Sequence, residues 1–140
     1  MTLLSATNLL VQRDGVDVLE IPEFHVNEGE VLALIGPNGA GKSTLLLTLA
    51  LLLRPARGEL LFHGQPVPPG AELQTRRRMS LVLQDPLLLN TSVYNNVASG
   101  LRYRRLAREE VQERVIRWLE RLGIAHLKDR PAKRLSGGEA

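Results

Sequence analysis

The stretch Gly36-Pro37-Asn38-Gly39-Ala40-Gly41-Lys42-Ser43-Thr44 leaves this chain few choices of fold. It fits G-x-x-x-x-G-K-[ST] and stands between an apolar run and a leucine-rich segment, so it predicts a strand, a tight loop and a helix in that order. Glycines let the backbone curl until successive N–H groups face one concavity, and the following helix adds the positive end of its dipole. Such a cradle takes phosphate oxygens. In that pattern Lys42 reaches the β- and γ-phosphates of a nucleotide, and the Ser43 hydroxyl is free to ligate Mg²⁺.

The flanking sequence predicts an α/β domain. Val31-Leu32-Ala33-Leu34-Ile35 is apolar without alternation, the pattern of a strand buried on both faces of a parallel sheet, and is expected at its centre. Residues 43–53 are leucine-rich nearly all round and are expected as a buried helix that Arg54-Pro55 stops. Ahead of these, residues 3–11 and 16–26 read as two strands of a hairpin around Arg13-Asp14-Gly15. Leu60-Leu61-Phe62 and Leu81-Val82-Leu83 read as further short strands, separated by the loop Gly64–Gly70 and Arg76-Arg77-Arg78.

From Ser92 the pattern turns helical. Glu109–Leu122 sets Val111, Val115, Trp118, Leu119 and Leu122 on one stripe. Acidic residues open it, Arg117 and Arg121 lie near its end, and Gly123 offers a left-handed stop. Glu110–Arg114 and Glu113–Arg117 have the spacing of helical ion pairs. The expected division is a β and phosphate-loop part over 1–91 and a helical part over 92–140.

Composition removes several function classes. With no cysteine there is no disulfide frame, thiolate metal site or cysteine nucleophile. The formal charge of +3 rests on arginines such as Arg102, Arg104, Arg105 and Arg108, which read as solvated surface. Aromatics make up 4% of the chain, too few for a stacking platform, so no nucleic-acid partner is expected. Met1–Ala6 lacks the pattern of an export signal. The greasiest segment, Leu45–Leu53, falls short of the roughly 20 residues that span a bilayer.

Leu135-Ser136-Gly137-Gly138-Glu139 admits two readings that can hold together. Ser136 and Glu139 satisfy a helix capping box, and two glycines at a helix start present unobstructed donors to a phosphate. With this segment following the phosphate loop, and with Gln84 in Leu83-Gln84-Asp85-Pro86 between them, the chain resembles the ATP-binding subunit of ABC transporters. Gly36–Thr44 matches Walker A, Gln84 the Q-loop, and Leu135–Glu139 the signature.

The resemblance implies a P-loop NTPase of the ABC type: an antiparallel β region, part of a parallel-sheet core and a helical subdomain. It implies ATP and Mg²⁺ as cofactors, with Lys42 and Gln84 as catalytic residues and Ser43 and Gln84 at the metal. Gly36–Thr44 and Ser136, Gly137, Gly138 and Glu139 would contact nucleotide. The stretch Pro86–Leu106 would meet an integral membrane subunit, and a second ATP-binding subunit would pair head to tail. Thr91–Val97 resembles importers in this region. A cytoplasmic place, peripheral at the inner face of the membrane, follows from the same likeness.

Two departures stand out. Arg13 occupies the position where the family stacks an aromatic on adenine. The Walker B aspartate, its neighbouring glutamate, the D-loop and the switch histidine have no counterpart in these residues, so the expectation is a fragment that holds ATP without hydrolysing it. His25, His63 and His126 precede the signature and read as surface or packing residues. A soluble, non-transport ABC-type protein, a non-hydrolytic nucleotide-binding module, and an unrelated P-loop enzyme whose Ser136–Glu139 is only a cap are the alternatives.

Overall fold

The computed structural model describes residues 1–139, which fall into two compact units, Met1–Leu81 and the residues from Val82 onward. Each is built around its own apolar cluster.

The first unit is an antiparallel sheet covered by one helix. Strands β1 (Thr2–Arg13) and β2 (Val16–Asn27) form the expected hairpin. Asp14 and Gly15 both take positive φ, 53° and 78°, as a two-residue turn matched to strand twist requires. Strand β3 (Arg57–Phe62) pairs with the other edge of β1, and the short β4 (Gln65–Pro66) with β3, giving the order β2-β1-β3-β4. The burial phase along β1 changes by one residue between Ala6 and Leu9, and both are buried in the same cluster. The left-handed Asn8 (φ 48°) makes that change, beside a register shift between Thr7 and Leu10. Gly58 is the counterpart on β3: a Cβ there would stand 2.5 Å from the Asn8 carbonyl oxygen, so only glycine lets the strands approach.

Helix α1 (Lys42–Leu49) lays Leu45 and Leu49 on Ala6, Leu9 and Leu60. It is shorter and less enclosed than residues 43–53 predict. Leu51 turns left-handed (φ 58°) and the Leu52 amide closes back on the Leu47 carbonyl at 2.9 Å, so the helix ends ahead of Pro55. Leu52 and Leu53 are consequently exposed, and Leu46 is exposed on the helix itself, on the face away from the sheet. A short helix α2 (Glu72–Arg76) follows, and Arg76 donates to the Leu51 carbonyl at 2.8 Å.

Val31–Ile35 and Leu81–Leu83 are not strands, and the described residues contain no parallel pair. Val31 and Ile35 are 97% and 95% exposed, and Val82 is 93% exposed. An unbroken apolar run becomes a central strand only when neighbours on both sides accept its hydrogen bonds. Among the described residues no such neighbour pairs with either run.

The second unit is helical, as expected. Helix α3 (Val93–Tyr103) is capped by Ser92, whose hydroxyl accepts from the Asn95 amide at 3.2 Å. Its first amides have partners from farther along the chain: Val93 donates to Arg130 and Tyr94 to Lys128, at 3.0 and 2.8 Å. Helix α4 (Arg108–Arg121) packs Val111, Val115 and Leu119 against Val93, Ala98, Leu127 and Ala132. The predicted stripe is narrower than its sequence pattern, because Trp118 and Leu122 are 50% and 64% exposed. Arg121 instead lies over the Trp118 ring at 5.1 Å. Glu110 and Arg114 pair at 2.6 Å, whereas Glu113 and Arg117 form no ion pair among the described residues.

Candidate functional site

The loop Gly36–Thr44 leaves the sheet region exposed and ends at the first turn of α1. Gly39 and Gly41 take φ of 85° and 81°, the curl that the glycine pattern anticipates. Gly41 also has no room for a side chain: a Cβ would lie 2.9 Å from Leu19 Cδ1 and 3.2 Å from the Val18 carbonyl oxygen. The hairpin strand β2 therefore fixes where the helix begins.

Gly41 caps α1 without a side-chain acceptor, and no acidic residue stands in the first turn. The amides of Gly39, Gly41, Lys42, Ser43 and Thr44 donate to no protein acceptor among the described residues. These are orphan donors at the positive end of a helix, the arrangement that binds an anion. Lys42 folds back over the loop, its Nζ donating to the carbonyls of Gly36 and Pro37 at 2.8 and 2.7 Å. That grip holds an ammonium group at the mouth of the loop, and Ser43 beside it is exposed. Deeper in the helix, Thr48 is fully buried and donates to the Thr44 carbonyl at 2.8 Å, which leaves no unpaired hydroxyl beneath the site.

In the second unit Gln84 stands exposed at a bend. The segment after it is held by Asn96, which the sequence reading missed. The Asn96 carbonyl oxygen accepts from the Leu89 amide at 2.7 Å, and its NH₂ donates to the carbonyls of Leu89 and Ser92 at 3.1 and 3.0 Å. The only hint in the sequence was an asparagine following a Thr-Ser cap.

The segment Ser136–Glu139 closes on itself. The Glu139 carboxylate accepts from the Ser136 amide at 2.8 Å and from its hydroxyl at 2.9 Å, while the Glu139 amide donates to the Ser136 carbonyl at 3.0 Å. Only one half of the expected capping box forms, the Glu139 carboxylate on the Ser136 amide: the Ser136 hydroxyl donates to that carboxylate and does not accept from the Glu139 amide. Those two hydrogen bonds, the backbone one foremost, hold the Glu139 carboxyl below its usual range. Arg130 braces the turn by pairing with Glu139 at 3.3 Å and donating to the Arg134 carbonyl at 3.1 Å. No sequence pattern marked it. Gly137 and Gly138 have no atom within 4 Å of a Cβ position, so that face of the turn is open.

Arg13 is exposed beside the hairpin turn. His63 pairs with Glu28 at 3.3 Å and meets the edge of Phe62, a packing role like the one expected.

Residues 19–140 match the family model described as ABC transporter. The chain belongs to that family. It is 43% identical over 120 residues to the methionine import ATP-binding protein MetN of Bordetella pertussis, covering 83% of this chain and 33% of that one. To the energy-coupling factor transporter ATP-binding protein EcfA3 of Clostridium perfringens it is 37% identical over 130 residues, covering 90% and 46%. Among solved structures it is similar to cbiO1 from Clostridium perfringens, described as part of the ABC transporter complex cbiONQ. That likeness has a TM-score of 0.83 and 35% identity, and covers 99% of this chain and 57% of the other. The chain thus spans about half the length, or less, of the curated relatives named. The P-loop NTPase fold of the ABC type, expected from the motifs, is the fold of these neighbours.

Proposed function

We propose that residues 1–140 form the nucleotide-holding part of an ABC transporter ATPase whose work is coupled to transport across a membrane, in the direction of import. The observation that carries this reading is the set of orphan amides at the start of α1, with Lys42 held across them, in a chain of this family. Lys42 and the loop amides bind the β- and γ-phosphates of ATP. The import direction is supported by the printed name of the methionine relative.

The loop also fits Mg²⁺. Ser43 is exposed at the mouth of the loop and offers a hydroxyl oxygen beside the phosphate site; the Q-loop resemblance alone supports Gln84 as a second ligand. When bound, the ion neutralises charge on the phosphates. Ser136, Gly137 and Gly138 contact the nucleotide of a second ATP-binding subunit in a head-to-tail pair, Glu139 holding their turn in shape. The stretch Pro86–Leu106 meets an integral membrane subunit, which puts the protein at the cytoplasmic face of the membrane. No helix among the described residues is long and apolar enough to cross it.

Turnover needs a group that positions and polarises water as well as charge at the phosphates. Residues 1–140 supply Lys42 and Gln84 for these tasks and no Walker B carboxylate, so they hold ATP without hydrolysing it. Titration with a fluorescent ATP analogue, alongside a phosphate-release assay, tests both parts. Binding weakened about ten- to a hundredfold in Lys42→Ala, the loss of one charged hydrogen-bond donor, is expected with no release above background. Equal binding by the two proteins sinks the first part, and release abolished by Lys42→Ala sinks the second.

A further inference from the structure

The turn joining α3 to α4 carries four arginines within seven residues, Arg102 to Arg108. Arg102, Arg104, Arg105 and Arg108 are all exposed, and none forms an ion pair among the described residues. The nearest carboxylates in sequence are Glu109 and Glu110, and Glu110 is engaged by Arg114. Tyr103, within the same run, is 83% exposed.

Two further features set the turn apart. Arg105 takes φ 60° where α3 ends, its amide bonded to the Arg102 carbonyl at 2.8 Å and the next amide, of Leu106, to Leu101 at 3.3 Å. This is the left-handed position after a helix that glycine fills without strain, so an arginine there trades backbone comfort for a guanidinium. Beside it lies a cavity of about 290 Å³ lined by Tyr94, Arg102, Leu106, Arg108, Val111 and Gln112. Two guanidinium groups, those of Arg102 and Arg108, line it together with the Tyr94 and Gln112 side chains, a donor set suited to a phosphate.

We propose that this turn is a membrane-surface contact, in which Arg102, Arg104, Arg105 and Arg108 engage the phosphates of an anionic phospholipid bilayer and Tyr103 sits at the polar–apolar boundary. A run of guanidinium groups around an exposed tyrosine matches a charged plane with an apolar layer beneath it. A single exposed aromatic among them is too little to stack the bases of a nucleic-acid strand. Lipid contact is independent of nucleotide, and because Arg102–Arg105 lie at the end of the stretch assigned above to the membrane subunit, it is measured without that subunit and without ATP.

Vesicle flotation tests it on the purified chain. Vesicles of three parts phosphatidylcholine to one part phosphatidylglycerol are compared with phosphatidylcholine alone, at low and physiological salt. Binding is expected only to the anionic vesicles and weaker at higher salt. Replacing both Arg102 and Arg108 by Gln lowers partitioning roughly thirtyfold, on the basis of what each basic residue contributes near such a surface. Arg105→Gly lowers it roughly fivefold while the thermal midpoint holds or rises, because the substitution removes charge and strain together. That opposite movement separates lost contact from lost folding. The proposal is overturned if the chain binds neither vesicle or both equally, or if the variants partition like the parent. Release by millimolar inorganic phosphate at constant ionic strength identifies a free-anion site instead and also overturns it, as does preferential capture by RNA.

Discussion

Gly39→Ala and Gly41→Ala form a matched pair that tests how the phosphate loop is held. Both positions have positive φ, 85° and 81°, so an alanine at either carries about 1–2 kcal/mol of backbone strain in the observed conformation. At Gly39 the added methyl meets nothing within 4 Å, and the strain is the whole effect. At Gly41 it falls 2.9 Å from Leu19 Cδ1 and 3.2 Å from the Val18 carbonyl oxygen. The leucine methyl ends a flexible side chain and yields cheaply, but the carbonyl is backbone of β2 and can move only with its strand. Overpacking of this kind adds about 1–3 kcal/mol, so Gly41→Ala is expected to lose about 2–5 in all. Since about 1.4 kcal/mol is tenfold in an equilibrium and only the overpacking separates them, the variants should differ by roughly five- to a hundredfold in affinity for a fluorescent ATP analogue. Urea unfolding monitored in parallel shows whether the loss is confined to the loop. Equal affinities for the two variants refute the role given to β2, and unchanged affinity in both refutes the need for the left-handed curl.

In the helical unit, Leu119→Ala removes a fully buried side chain and is expected to destabilise by about 2–5 kcal/mol. Leu122→Ala, on the same predicted stripe but 64% exposed, should stay within about 0.5 kcal/mol; circular dichroism during urea unfolding reads both. Glu139 has a folded pKa below its usual value, so its contribution to the Ser136–Glu139 turn is fully present above the ordinary carboxylate range. It is lost as pH falls through the lowered value. The Ser136 amide resonance in an NMR pH titration should shift with that transition and lose it in Glu139→Gln; a titration at the ordinary carboxylate pH contradicts the hydrogen-bonded turn.

The sequence by itself determined what depends on short-range chemistry. Asp14-Gly15 between two alternating runs specifies a tight hairpin, since only residues tolerant of positive φ close it. Gly39, Gly41 and Lys42 specify a curled loop with a cation, and Ser136 and Glu139 a hydrogen-bonded turn, because each partner lies within a few residues of the other. Helix α4 was legible because its apolar spacing spans several turns, although the sequence could not tell that Trp118 and Leu122 lie outside the core. What tertiary structure decided are the features set by residues far apart in the chain. Whether Val31–Ile35 is a strand depends on neighbours its own composition does not encode. The end of α1 was set by Leu51 turning back beneath Arg76, ahead of the proline that looked like the stop. Leu19 and Val18 fix the start of the same helix, and Arg130 fixes the Ser136–Glu139 turn, through contacts of packing and geometry that leave no periodicity to read.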